Sequence, residues 1–122
     1  MTDVRDLLRQ GRIFRGAGNP STAARHFARA AELAPDDRTV LTELALAHFQ
    51  SAALPRAEEV LLRLVELDPS DGYARRLLGR TLSRQSRHAE ALPQLKLAAA
   101  LTGDPEVAAE VGRVQERLAP QV

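Results

Sequence analysis

The 122-residue sequence contains no cysteine and no tryptophan, and its other aromatic residues are one tyrosine and three phenylalanines. The lack of cysteine excludes a disulfide scaffold and thiolate metal sites, and it is typical of a reducing compartment, so we expect a cytoplasmic protein. With so few aromatic side chains, the core must be built from leucine, valine and alanine. The chain is long enough to form one domain around such a core.

The sequence also lacks a strong excess of charge and a long apolar run. Its formal net charge is +1, which is too balanced to indicate nucleic-acid binding by itself. No segment approaches the ~18 apolar residues of a membrane span, and the N-terminal MTDVRDLLRQ has no apolar segment of the kind found in signal peptides. Lys96 is the only lysine among 17 basic residues, a bias that genomic base composition explains most simply. We therefore expect neither a nucleic-acid nor a membrane partner.

Patterns that mark catalytic, cofactor or metal sites are missing as well. His26, His48 and His88 fall at different phases of different segments, and no predicted helix carries two histidines at i, i+4. The segment RGAGNP lacks the Lys-Ser/Thr pair that completes a phosphate-binding loop. No serine or threonine lies in a recognisable nucleophile context. We expect no enzymatic activity, no cofactor and no metal, and we expect His48 to be packed or partly buried.

What the sequence does contain is an internal repeat of 34 residues. The segment AARHFARAAELAPDD, from Ala23, returns in outline as AEEVLLRLVELDPSD from Ala57 and more loosely as ALPQLKLAAALTGDP from Ala91. Each copy starts with alanine and has a large apolar residue four positions later, which is helical spacing. A fixed period of this length indicates a repeat architecture.

A second apolar stripe with helical spacing precedes each copy, and it begins with Leu7, Gly11 and Phe14. Asn19 followed by Pro20 predicts a capped helix start, since proline is tolerated at the first helical position. The pattern predicts seven helices, near residues 3–16, 20–33, 37–50, 55–67, 71–85, 88–101 and 105–118. The last helix would bury an apolar face against the preceding repeat and expose its charges to water, as a terminal cap requires.

The order of these residues resembles the tetratricopeptide repeat. In each unit a small residue in the first helix is followed three positions later by a larger one, giving the pairs Gly11 and Phe14, Ala45 and His48, Gly79 and Leu82. The third unit departs from the pattern, with Gly103 where proline would stand and Arg75 where a large apolar residue is common. The resemblance covers units of about 4–37, 38–71 and 72–105, with a capping helix of about 105–118, in a single domain spanning 1–122.

This resemblance implies an all-α, right-handed α-solenoid of antiparallel helix pairs and a role in protein–protein interaction. It further implies that the first helix of each pair lines a concave inner surface. On the predicted helical phases, that surface carries the candidate binding residues Arg12, Arg15, Leu46, Phe49, Tyr73, Arg76, Arg80 and Arg84.

Two groups within this set determine the kind of partner that we predict. Arg76, Arg80 and Arg84 follow i, i+4, i+8 spacing, so they repel one another unless an acidic partner neutralises them. The alternative is that they form a solvated face. Leu46 and Phe49 offer an apolar anchor, unless the helical phase is off by one residue and Phe49 packs into the core. We predict a module that binds an acidic protein segment with an apolar anchor in the concave groove.

The alternative function is self-association, through Leu8 and Ile13 on the first helix or through the last helix. A second alternative is RNA binding through the arginines, which the balanced charge and the single potential stacking pair, Phe49 and Tyr73, disfavour. A carboxylate clamp is not expected either. Some members of the family hold the C-terminal carboxylate of chaperones with residues that align here with Leu8, Arg12, Glu43, Tyr73 and Leu77. Only Arg12 among these could serve, and Glu43 would repel a carboxylate, so we expect no clamp of that type.

Overall fold

The computed structural model describes residues 2–120, and this part of the chain forms seven α-helices and no strand. The helices are α1 (Val4–Gly16), α2 (Pro20–Leu33), α3 (Arg38–Gln50), α4 (Leu54–Leu67), α5 (Gly72–Arg84), α6 (His88–Thr102) and α7 (Pro105–Leu118). All seven predicted helices are therefore confirmed, and every predicted boundary lies within about one residue of the observed one.

Side-chain caps explain why most of these boundaries are sharp. In five helices an aspartate or asparagine side chain at the N-cap accepts a hydrogen bond from a backbone N–H of the first turn. These N-cap residues are Asp3, Asn19, Asp37, Asp71 and Asp104. Such caps satisfy N–H groups that have no partner within the helix. The predicted cap at Asn19 is among them.

The helices pack in consecutive antiparallel pairs. The pairs are α1 with α2, α3 with α4, and α5 with α6. The second helix of each pair also packs against the helix that follows it, so that α2 contacts α3, α4 contacts α5 and α6 contacts α7. Contacts between α3 and α5 bring the first helices of neighbouring pairs together along one side. The resulting architecture is an all-α solenoid, in which each unit packs mainly on its neighbours.

The small residue in the middle of each first helix allows a close approach by the second helix. A Cβ atom added to Gly11 would lie 2.7 Å from Cδ1 of Phe27, and one added to Gly79 would lie 2.5 Å from Cγ of Leu95. Both distances are far below van der Waals contact, so these positions accept no side chain without a shift. Phe27 and Leu95 are almost completely buried in consequence.

The turns inside the three pairs share one geometry. The backbone N–H of Asn19, Ala53 and Arg87 donates to the carbonyl five residues earlier, with N···O distances of 2.9, 2.8 and 3.0 Å. The preceding residue takes a positive φ in each case, 78° at Gly18 and 61° at both Ala52 and Ser86. This combination is a helix C-cap in the left-handed conformation.

The two departures in the third unit have structural roles. Arg75 donates from Nη1 to Oε1 of Gln94 at 2.9 Å and from Nε to the carbonyl of Pro69 at 3.2 Å, so it links α5 to α6 and to the preceding turn. Gly103 ends α6 with a φ of 66°, the left-handed conformation that favours glycine. The third unit therefore keeps the fold with different contacts.

Candidate functional site: a groove lined by α1, α3, α5 and α7

One face of the solenoid is lined by α1, α3, α5 and α7, and we call it the groove. Side-chain contacts join these helices in order: Arg15 of α1 reaches Glu43 of α3, Arg84 of α5 reaches the carbonyl of Phe49 in α3, and Arg76 of α5 reaches Glu110 of α7. The capping helix α7 therefore occupies the place of a further first helix, one repeat after α5, and contributes to the groove.

At the α1–α3 end of the groove, the two predicted arginines are already paired. The Nη1 atom of Arg15 lies 2.7 Å from Oε2 of Glu43, and Nε of Arg12 lies 3.4 Å from the same oxygen. The Glu43 side chain is only 17% exposed, which strengthens its interaction with the less exposed Arg15. A carboxylate ligand at this end would have to compete with Glu43. Arg12, the one residue that matched a chaperone-binding clamp, is engaged in this pair.

Two further predicted residues are Tyr73, near the start of α5, and Leu46, in α3. Tyr73 is 47% exposed, and Leu46 is half-buried against the core. Burial raises the pKa of the Tyr73 hydroxyl, an effect opposed by Arg15 and reinforced by Glu43. Tyr73 therefore remains a neutral hydrogen-bonding group with an accessible ring.

Phe49 is buried, so the expectation that it forms an exposed anchor is wrong and the alternative of inward packing is correct. Its ring is 8% exposed. The guanidinium carbons of Arg80 and Arg84 lie 5.0 and 4.9 Å from the ring centroid, within cation–π range. Nη1 of Arg84 also donates to the Phe49 carbonyl at 3.2 Å. The two arginines cover the ring, which in turn fixes their positions.

The row of three arginines on α5 divides into two parts. Arg76 is held by α7, with Nε 3.0 Å from Oε1 of Glu110 and further acidic side chains of α7 and its cap within 4.0 Å. The hydrogen bonds with Glu110 raise the pKa of Arg76. Arg80 and Arg84 are exposed, and no carboxylate of residues 2–120 lies within 4.0 Å of either guanidinium. Of the three arginines in this row, Arg80 and Arg84 are therefore the ones without an internal carboxylate partner.

A pocket of about 450 Å³ opens beside Arg80 and Arg84, between α5, α6 and α7. Four arginines, a single carboxylate, three further polar residues and two apolar residues line it: Arg80, Arg84, Arg113, Arg117, Glu110, Ser83, Ser86, His88, Leu95 and Val114. Sequence reasoning missed Arg113 and Arg117, because it assigned the charged face of α7 to water. Shifting α5 by one repeat onto α7 would have placed Arg117 at the position of Ser83, whereas Arg113 takes the position of the buried Gly79, so the repeat pattern does not indicate it.

His48 is half-buried, as expected, and burial lowers the pKa of its imidazole, with Arg56 adding to the decrease and Glu59 opposing it. In the part of the chain that the structure describes, no group of three or more potential ligands could hold a metal ion. Between residues 2 and 120, none of the helices has the length and apolar character that crossing a bilayer requires.

Comparison with known proteins places the chain in a family. The sequence profile of the tetratricopeptide repeat matches residues 8–72 and 54–105. No curated protein sequence matches the chain. The first tetratricopeptide domain of Spaghetti (RPAP3), bound to the HSP90 peptide SRMEEVD, superposes with a TM-score of 0.90 at 19% identity, covering 97% of this chain and 94% of that one.

Two further structures show the same fold. MamA (MSR-1 C2) has a TM-score of 0.86 and 25% identity over 96% of this chain and 68% of that one. YrrB, a tetratricopeptide protein with an unusual peptide-binding site, has a TM-score of 0.85 and 20% identity over 93% of this chain and 58% of that one. The profile match extends over most of the helical part of the sequence, and this chain belongs to the tetratricopeptide repeat family.

Proposed function

We propose that this protein is an interaction module whose groove binds an extended segment of a partner protein. In this proposal an acidic residue of the segment contacts Arg80 and Arg84, and an apolar residue rests beside Leu46 and Tyr73. The ring of Phe49 packs against both guanidinium groups and fixes their positions. The remaining predicted residues, Arg12, Arg15 and Arg76, border the bound segment while paired with acids of the protein itself.

This proposal rests mainly on the exposure of Arg80 and Arg84 and on their lack of a carboxylate partner. Both are exposed, and neither has a carboxylate of residues 2–120 within 4.0 Å, although other groove arginines are paired. Stacking on Phe49 holds the guanidinium groups in place, so less side-chain freedom is lost when they bind a ligand. Preorganised donors of this kind suit bidentate recognition of a carboxylate.

The family comparison supports the general class of function. The Spaghetti (RPAP3) domain binds a peptide, and YrrB has a peptide-binding site, so this fold serves peptide recognition in both. Sequence identities of 19% and 20% support a shared fold but do not indicate that this chain binds the same ligand. The pairing of Arg12 with Glu43 argues against the same peptide binding here.

The test is a pull-down from source-cell lysate with three baits. These are the wild-type chain, an Arg80→Glu/Arg84→Glu variant and an Arg25→Glu/Arg29→Glu control. Arg25 and Arg29 are exposed on α2, away from the groove, and they have the same i, i+4 spacing. The control therefore makes the same change in net charge at a different surface.

We expect the groove variant to lose the partner by about tenfold or more, as is usual when a charged anchor is reversed, and the control to retain it. Circular dichroism should first show equal helicity, and a single Arg80→Glu variant serves if the double variant is less helical. Equal capture by the wild type and a folded groove variant would show that the groove is not the binding surface.

The alternative function, self-association, is favoured by one exposed apolar residue. Ile13 on α1 is 63% exposed, the largest value among the large apolar side chains of residues 2–120, whereas Leu8 is half-buried. Light scattering over a wide concentration range distinguishes the two functions. A constant monomer mass would exclude self-association, and a mass that rises with concentration and falls on Ile13→Asp substitution would support it.

A further inference from the structure

We infer that the pocket between α5 and α7 holds two neighbouring carboxylate side chains of the bound segment, so the partner is a protein with consecutive aspartate or glutamate residues. This inference rests on the proposed function and extends it to α7, from which the sequence analysis took no binding residue. It assigns Arg113 and Arg117 to the binding site beside Arg80 and Arg84.

The lining of the pocket is strongly basic. It includes four arginines, and its one carboxylate, Glu110, is hydrogen-bonded to Arg76 at 3.0 Å. Arg76 lies outside the pocket lining, so the bond neutralises Glu110 without using any of the four arginines. Like charges that converge on a concave surface create a potential that attracts anions. The pocket is therefore complementary to more than one negative charge.

The arginines of the pocket form two pairs. Arg80 and Arg84 are separated by one helical turn on α5, and Arg113 and Arg117 are separated in the same way on α7. Side chains at i and i+4 lie on the same helix face, so each helix contributes two neighbouring arginines to the pocket lining. One carboxylate can be held from α5 and a second from α7, each by bidentate hydrogen bonds.

The surroundings of the four arginines are partly apolar. Leu95 and Val114, which are 1% and 5% exposed, form an apolar floor, and an apolar wall strengthens nearby ion pairs by lowering the local dielectric constant. The volume of about 450 Å³ exceeds the space that one carboxylate side chain fills and lies within the usual range of binding pockets. Ser83 and Ser86 add hydroxyl groups to the lining, and that of Ser83 is hydrogen-bonded to Nδ1 of His88 at 3.2 Å.

The test uses fluorescence polarisation with three labelled peptides that differ only at two adjacent positions after a leucine. The first has two glutamates, the second two glutamines and the third one phosphoserine followed by glutamine. Each is titrated with wild-type protein, an Arg113→Gln/Arg117→Gln variant and an Arg25→Gln/Arg29→Gln control. An Arg113→Lys/Arg117→Lys variant keeps the charge but loses the bidentate geometry.

We expect the diglutamate peptide to bind the wild type and the control equally, and the Arg113→Gln/Arg117→Gln variant about tenfold more weakly, a change of ~1.4 kcal/mol. The lysine variant should lie between them. Tight binding of the diglutamine peptide, undiminished binding of the diglutamate peptide by the glutamine variant, or preference for the phosphoserine peptide would each overturn the inference.

Failure of this inference is distinguishable from failure of the proposed function. If the lysate partner depends on Arg80 and Arg84 but the diglutamate peptide does not bind, the groove binds a partner of different chemistry. If partner capture is independent of Arg80 and Arg84, the proposed function itself is wrong.

Discussion

At the α1–α3 end of the groove, Arg12 and Arg15 share the carboxylate of Glu43, whereas at the α5–α7 end Arg80 and Arg84 line a pocket whose one carboxylate, Glu110, is paired with Arg76. The residue type and the helix face are the same at both ends. What differs is whether the next first helix supplies an acid within reach. The presence of an internal partner, not the number of arginines, separates a structural cation from one that can bind a ligand.

Arg76 shows that both arrangements can coexist on one helix. It pairs with Glu110 of the following first helix, as Arg15 pairs with Glu43, while its neighbours one and two turns later remain unpaired. Ion pairs between successive first helices therefore link the units, and the proposed function assigns recognition to the arginines that lack such a partner.

The largest expected effect tests the fastening role of Arg76. In an Arg76→Gln variant, Glu110 would stay 12% exposed without a cationic partner. Such a group destabilises the fold by about 1–3 kcal/mol. Urea unfolding followed by circular dichroism measures this loss. Arg12→Gln is the comparison, because its 3.4 Å contact is long and the side chain is 50% exposed, so a change below about 0.5 kcal/mol is expected.

If Arg76→Gln and Arg12→Gln lowered the free energy of unfolding equally, the Arg76–Glu110 pair would be no more important to stability than the Arg12–Glu43 pair. A much smaller loss for Arg76→Gln than for Arg12→Gln would reverse the expected order.

The next largest effect is expected from a substitution that gives the α5–α7 end an internal carboxylate, as Glu43 does at the α1–α3 end. A Ser83→Glu substitution places a carboxylate in the pocket lining next to Arg80 and Arg84. We expect this internal acid to reduce binding of the diglutamate peptide by about tenfold, ~1.4 kcal/mol, because it competes for the same guanidinium groups. Polarisation titration measures the change, and Ser83→Gln is the size-matched control. Unchanged affinity in Ser83→Glu would show that the pocket arginines do not bind the peptide.

The converse substitution releases the α1–α3 end. Glu43→Gln removes the carboxylate that Arg12 and Arg15 share. We expect affinity for an acidic peptide to rise by about threefold, ~0.6 kcal/mol, since two more arginines become available at the partly exposed end. The gain should shrink at high salt, because exposed charges are screened. If affinity fell instead, Glu43 would be contacting the ligand directly.

The smallest expected effect is the pH dependence of the free energy of unfolding, to which His48 contributes and the arginine pairs do not. Arginines and paired carboxylates do not change charge between about pH 5.5 and 7.5. The pKa of His48 is lowered by burial, with Arg56 adding to the decrease and Glu59 opposing it, so the unfolded chain takes up a proton first as pH falls. The free energy of unfolding should therefore decrease as pH falls below about 6.5.

A His48→Gln variant should show a smaller decrease over the same pH range in urea titrations. An identical decrease in the wild type and the variant would assign the pH dependence to other groups.

The fold could be predicted almost completely from the sequence because its signals are local. Asn19 and Pro20 mark a helix start within two residues, and the alternation of small and large residues at Gly11 and Phe27 identifies which helix faces meet. These features depend on spacing within one repeat, which the 34-residue period makes visible three times.

The groove was harder to predict because its state depends on neighbouring helices. Phe49 is buried because it packs into the core with residues of the following helices and because two arginines of α5 lie over its ring. Arg76 finds its carboxylate 34 residues later, and no spacing within α5 indicates that partner. Tyr73, Arg80 and Arg84 were placed on an accessible face, as expected, because an exposed helical phase needs no information from other helices.

The turns inside the helix pairs bear on how the sequence of this fold can vary. Gly18, Ala52 and Ser86 adopt the same left-handed conformation, although only glycine does so without a steric cost, which for other residues is about 1–2 kcal/mol. Packing of the flanking helices therefore imposes the direction of chain reversal, whatever residue occupies the turn. Repeats can diverge at this position and still stack in register, which allows neighbouring units to acquire different surfaces on a common frame.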